Sequence, residues 1–257
     1  MPSSTVGWDI KGSVGIVTLN RPDARNALTW DMYDALVEAC DEAEAAADMR
    51  VLIIRGAGGA FAAGTDISQF ADFTDGDAGV AYERRLDAVV DRIERVTLAT
   101  IAEVDGPAVG GGCAIAMACD LRLCSDRATF GVPVARSLGN CLSISNLARM
   151  VDLIGPARTK DLLLTGRLID AREALAAGLA TSVSPADRLA GDVFEMAATL
   201  ADRKRSTIVA TKQTLLRLRD HRRPPQSAAD DILRECYGSD DFRNGVAAFL
   251  AKTKSSR

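Results

Sequence analysis

The chain has 257 residues, 47% hydrophobic, 26% charged and only 5% aromatic, a make-up that fits an ordinary globular protein long enough to bury a sizeable core. Its net charge of −4 offers no electrostatic attraction to nucleic acid or to an anionic membrane, and no apolar run reaches the roughly 18 residues of a membrane span. Six cysteines match no zinc spacing and share a single histidine, His221, so no metal is expected; residues 1–8 lack the charged-then-apolar pattern of a signal peptide, so the expected compartment is cytoplasmic.

Residues 13–19 (S-V-G-I-V-T-L) form a β-branched run that predicts a strand, closed by the turn N-R-P-D at 20–23. Beyond Thr29, the residues Met32, Ala35, Leu36, Ala39, Cys40 and Ala43 recur at spacings of three and four, which predicts an amphipathic helix starting near Thr29 or Asp31. A buried strand is expected over 51–55. The stretch 56–64 (G-A-G-G-A-F-A-A-G) has too few side chains to define a packed element and reads as loop. Polar residues prolong it as a flap to about 79, followed by a charged helix over 80–96. Next come a strand over 99–104, a D-G-P turn, and a helix over 110–119 whose side chains are nearly all small and apolar, so it must be buried. Short strands are expected at 121–124 and 129–132, then helices at 156–164, 170–177, 186–202, 206–218, 227–236 and 240–252. This alternation predicts an α/β core over residues 1–195 and a helical C-terminal region over 196–257.

The three glycines opening the buried helix, Gly110, Gly111 and Gly112, would leave first-turn N–H groups bare at the positive end of the helix dipole. Phosphate is excluded as the obvious ligand. The Walker pattern needs Gly-Lys-Ser/Thr where this chain has Cys113-Ala114, and no later glycine completes a dinucleotide fingerprint. What remains is an oxygen gaining negative charge, such as an enolate or tetrahedral oxygen, or no ligand at all, the glycines serving only tight packing.

Five blocks then carry a family resemblance: L-N-R-P-D-A-R-N-A-L (19–28), A-F-A-A-G-T-D-I (60–67), D-G-P-A-V-G-G-G-C-A (105–114), C-D-L-R-L-C-S-D-R-A-T-F-G-V-P (119–133) and L-L-L-T-G-R-L-I-D-A-R-E-A-L-A-A-G-L-A (162–180). In order and separation they resemble the enoyl-CoA hydratase/isomerase, or crotonase, family, over roughly residues 10–252. The resemblance implies a spiral of ββα units with C-terminal helices that mediate self-association, as a homotrimer or homohexamer. It implies an acyl-CoA thioester substrate, with coenzyme A as part of that substrate and no separate cofactor. It maps the two amides that hold the thioester oxygen to Thr65 and Gly111, places Ala63 and Ile67 along the CoA adenine, and puts Arg25 near the CoA phosphates. Asp66 reads as a loop organiser accepting backbone N–H groups.

The chain departs from the pattern at the two acids that hydratases of the family use. These positions hold Ala114 and Val134, or Ala135 if the later segment is shifted by one. None can move a proton, so ordinary hydration is not expected by that route. Replacement carboxylates are available in the flap and the following helix: Asp66, Asp72, Asp75, Asp77, Glu83 and Asp87. Asn140, Ser143, Ser145 and Asn146 read either as substrate contacts or as caps of the helix toward Met150. Tyr237 and Phe242 could approach the acyl tail of their own or of a neighbouring subunit. Cys113 and Cys141 read as packing residues, and His221, in R-D-H-R-R-P-P, as a surface residue. Three functional readings stand: an acyl-CoA-transforming enzyme, a non-catalytic acyl-CoA binder or assembly subunit that has lost its acids, or, between them, an isomerase or decarboxylase that needs only one base or none.

Overall fold

The computed structural model describes residues 5–255. Its larger sheet has six strands in the order β1, β2, β3, β4, β6, β9: β1 (Val6–Lys11), β2 (Val14–Leu19), β3 (Val51–Gly56), β4 (Ala99–Val104), β6 (Leu121–Ser125) and β9 (Ser182–Ser184). β1 and β2 form an antiparallel hairpin and the other pairings are parallel. A smaller sheet orders β5 (Pro107–Val109), β7 (Thr129–Gly131) and β8 (Ile169–Asp170). Ala62 bridges in parallel to Ala108, so the loop after β3 joins the edge of this second sheet.

The chain therefore winds in repeats. Each turn contributes one strand to the large sheet, a short extended piece to the small one, and a helix. The first turn ends in α2 (Gly76–Glu94), the second in α3 (Gly111–Ala118) and the third in α4 (Ile144–Thr165). This is the expected spiral of ββα units.

Both faces of the large sheet are covered, which explains why its strands read as unbroken apolar runs. Along β3, Val51 and Ile53 face one core and Leu52 and Ile54 the other, as the two-residue period of a strand requires. The first core is closed by α6 (Leu189–Ala201) through Leu189, Val193 and Ala197. The second holds α1 (Trp30–Ala45), whose buried residues are Met32, Tyr33, Leu36, Ala39, Cys40 and Ala43, and α3, in which all eight residues are buried.

Several boundaries differ from the sequence expectation. The strand β1 lacks an apolar signal in the sequence, because it is exposed over its second half and carries Gly7 and Asp9. α2 begins at Gly76, inside the expected flap, because the Asp75 side chain accepts from the Ala78 amide and caps it. α4 starts about three turns before residue 156 and continues across a kink at Gly155 (φ 76°), just ahead of Pro156. α5 (Ala171–Ala176), α7 (Arg205–Arg222), α8 (Asp230–Tyr237) and α9 (Asp240–Ser255) match expected helices to within a few residues. Of these, α8 and α9 fold back on their own chain: α8 lies along α2, and α9 packs against a short 3-10 helix, Ile67–Phe70.

Candidate active site

The site is assembled from two loops, the first of which is held in place by the turn at 21–27. Arg25 and Asn26 both adopt the left-handed conformation (φ 49° and 56°). Asparagine tolerates it, and buried Asn26 satisfies its whole side chain: Oδ1 accepts from the Arg21 amide at 2.8 Å, and Nδ2 donates to the carbonyls of Ala57 (2.9 Å) and Ala60 (2.7 Å). The Arg25 carbonyl accepts from the Ala63 amide at 3.0 Å. Leu28 donates to the Gly64 carbonyl and accepts from the Asp66 amide, each at 2.8 Å. In such a parallel bridge the intervening residue, Thr65, turns its own N–H to the opposite side.

Asp66 organises this loop, as expected. Its carboxylate accepts from the Ser68 amide (3.1 Å) and hydroxyl (2.8 Å) and pairs with Arg21 at 3.1 Å. These bonds hold the carboxyl below its ordinary range against the opposing cost of partial burial. It is a structural anion.

The second loop enters α3 through Gly110, whose φ of 54° suits glycine. The first intrahelical bond runs from the Ala114 amide to the Gly110 carbonyl, so the Gly111 amide has no intrahelical acceptor. The two loops abut: a Cβ built on Gly64 would lie 3.2 Å from the Val109 carbonyl oxygen, and one built on Gly111 would lie 3.2 Å from Thr65 Oγ1. Among the described residues, neither the Thr65 nor the Gly111 amide donates a hydrogen bond within the chain.

Beneath these amides runs a chain of hydroxyls that sequence reading missed. Tyr33 Oη lies 2.8 Å from Thr65 Oγ1, which lies 2.7 Å from Tyr82 Oη. Burial pushes both tyrosines up, so they stay neutral. The available signal was Tyr33 itself, which sits between Met32 and Leu36 on the buried face of α1 and therefore needed a partner for its hydroxyl.

Tyr82 belongs to an aromatic cluster with Phe70, Phe73, Tyr237 and Phe242, in which Phe70 and Tyr82 have ring centroids 4.9 Å apart and Tyr237 and Phe242 likewise 4.9 Å. Tyr237 and Phe242 thus reach this region from the C-terminal helices of the same chain. Tyr237 Oη donates to Glu83 Oε1 at 2.5 Å and accepts from Asn140 Nδ2 at 3.1 Å, and Glu83 Oε2 accepts from the Ser143 amide at 3.0 Å. Glu83 is 3% exposed, and burial drives its carboxyl from 4.5 up to about 8.

The other candidate carboxylates have ordinary structural partners. Asp75 caps α2, Asp77 pairs with Arg234, and Asp72 is exposed. Asp87 accepts from Ser143 Oγ (2.6 Å), Asn146 Nδ2 (2.9 Å) and Gln226 Nε2 (2.7 Å). Ser143 is the cap of α4, accepting from the Asn146 amide at 3.1 Å, so of its two readings the capping one is realised.

Ala114 is buried on α3, one turn beyond Gly111. Val134 packs against the core, whereas Ala135 is exposed. All six cysteines are free. Cys113 is buried, with its thiol pushed up to about 12, and is inert packing. His221 is exposed near the end of α7. Arg25 is exposed at the turn that holds Ala63, and Ile67 opens the 3-10 helix that follows Asp66.

The enoyl-CoA hydratase/isomerase family model matches residues 9–256. The chain belongs to this family. A protein named probable enoyl-CoA hydratase from Mycobacterium bovis is 36% identical over 245 residues, covering 93% of this chain and 92% of its own. Among solved structures, an enoyl-CoA hydratase/isomerase from Xanthobacter autotrophicus Py2 superposes with a TM-score of 0.86 at 29% identity, covering 99% of this chain and 98% of its own. An enoyl-CoA hydratase/carnithine racemase from Magnetospirillum magneticum gives 0.81 at 33% identity, covering 97% and 94%. The crotonase resemblance and the α/β spiral fold are thereby established for this chain. No helix among the described residues is long and apolar enough to cross a membrane.

Proposed function

We propose that this member of the family is an acyl-CoA-transforming enzyme that stabilises a thioester enolate between the Thr65 and Gly111 amides. The observation that carries the reading is the pair of unengaged N–H groups, set on loops that touch. Charge developing on a thioester oxygen between two such donors gains about 3 kcal/mol from each. Coenzyme A enters as part of the substrate. Ala63 and Ile67 flank Thr65 on the adenine side, and the exposed guanidinium of Arg25, whose carbonyl anchors Ala63, is available to the phosphates.

Ordinary hydration through the family's two glutamates is not the reaction proposed, since Ala114 and Val134 stand at those positions. Isomerase or lyase chemistry through an enolate needs fewer proton carriers and fits better. The working assembly is a homotrimer or homohexamer in the cytoplasm, formed through the C-terminal helices. Leu215 and Leu218, exposed on α7, support that assignment. The same missing acids favour one alternative, an acyl-CoA binder without catalysis.

Calorimetry with acyl-CoA thioesters, beside turnover assays on crotonyl-CoA and on aryl, hydroxy and β-keto acyl-CoAs, separates the two. The enzyme reading predicts binding together with a change in at least one thioester, an isomerisation leaving its mass constant. Tight binding with no turnover of any thioester contradicts it in favour of the binder.

A further inference from the structure

We propose that Glu83, held between the Tyr237 hydroxyl and the Ser143 amide, is the catalytic carboxylate that carries the substrate α-proton in this chain. The proposal rests on the acyl-CoA reading above. Enolate formation needs a base near the thioester α-carbon, and neither Ala114 nor Val134 supplies one. Glu83 is the next residue along α2 after Tyr82, whose hydroxyl contacts Thr65, and its charge acts on both tyrosines, Tyr33 and Tyr82, that hydrogen-bond Thr65.

Its surroundings differ from those of the ion-paired carboxylates. A buried structural acid ordinarily faces a cation. Asp66 has Arg21, and Glu94 has Arg149 and Arg219. Among the described residues Glu83 has none: it is held by two neutral donors, Tyr237 Oη and the Ser143 amide. The groups around it are Tyr82 and Asp87 on its own helix, Tyr33 from α1, Tyr237 and Cys236 from α8, and Cys141 from the segment before α4. Asp87 is the one carboxylate among them, and Arg149, a cation that acts on Asp87, is engaged by Glu94 and Asn146. A second observation is an open acceptor at this cluster. Asn140 donates to Tyr237, and among the described residues its Oδ1 receives no hydrogen bond.

The step balances without a co-reactant. A carboxylate oxygen of Glu83 takes the α-hydrogen as a proton, the C–H pair forms the enolate double bond, and the thioester π pair moves to the oxygen facing Thr65 and Gly111. Return of the proton, to the α-carbon or to the far end of a conjugated acyl chain, regenerates the carboxylate. The ionised form is the active one, so the rate rises with pH and levels above about 8. Tyr237 is a positioning residue: its donated bond favours the carboxylate, and losing it moves that midpoint upward.

Exchange of the α-hydrogens of butyryl-CoA in deuterium oxide, read by mass spectrometry beside calorimetric binding of the same thioester, tests this. The wild type should bind and exchange, with the pH profile just described. E83Q, which keeps the shape and a hydrogen-bonding amide, should exchange roughly a hundredfold more slowly at unchanged affinity. E83D should recover part of the loss, and Y237F should shift the pH midpoint upward. Exchange by E83Q at the wild-type rate, or a wild type that binds butyryl-CoA without exchanging it at any pH, overturns the proposal. A wild type that does not bind butyryl-CoA overturns the acyl-CoA reading itself.

Discussion

Gly111 carries no Cβ because Tyr33 occupies the place one would take. A Cβ there would sit 2.3 Å from Tyr33 Oη, at the tip of a rigid, fully buried ring that cannot swing aside. G111A should therefore lower stability by about 1–3 kcal/mol through overpacking. In a Y33F background, with the hydroxyl gone and the nearest remaining Tyr33 atom at 3.6 Å, most of that loss should disappear. Urea denaturation of the single and double variants measures the coupling; additive losses would show that Tyr33 is not what excludes the side chain. At this scale the glycine triplet was legible, because glycine signals act locally. Tyr33 and Tyr82 were not, since their partner Thr65 lies 32 and 17 residues away. Glu83 was visible only as one carboxylate among six, for E-R-R-L-D on a helix reads as a solvated face until α8 covers it.

Two further glycines set how closely α2 and α8 approach. A Cβ on Gly76 would lie 2.1 Å from the Arg234 carbonyl oxygen, and one on Gly79 would lie 2.1 Å from Tyr237 Cγ. Without these glycines α8 could not bring Tyr237 down to Glu83. G79A should push α8 outward at a cost of about 1–3 kcal/mol. Amide hydrogen exchange should then show protection falling along α8 while β3 and β4 keep theirs; unchanged protection in α8 would mean that the contact is not what seats it. The elements themselves were mostly readable from apolar period. The misses follow from physics that a single-segment reading lacks: β1 gains its order from pairing with β2, β8 and β9 span only two and three residues, and α2 starts early through a cap rather than through apolar spacing.

Across the whole molecule, the spiral brings loops 46 residues apart into contact. The small sheet does this by pairing Ala62 with Ala108, and the hairpin-like turn at Asn26 fixes the first loop from behind. The order of the glycine blocks made that juxtaposition legible through family resemblance, whereas the path of the C-terminal helices back over α2 depends on long-range packing that no local pattern reveals. The same fold leaves α7 with Leu215 and Leu218 outward, where neighbouring copies are proposed to meet. One oxygen between two amides is the centre of the proposed chemistry. A crystal structure with a bound acyl-CoA measures it directly: the thioester oxygen should lie about 3 Å from both the Thr65 and Gly111 nitrogens. A thioester bound with its oxygen turned away from either amide would contradict the account.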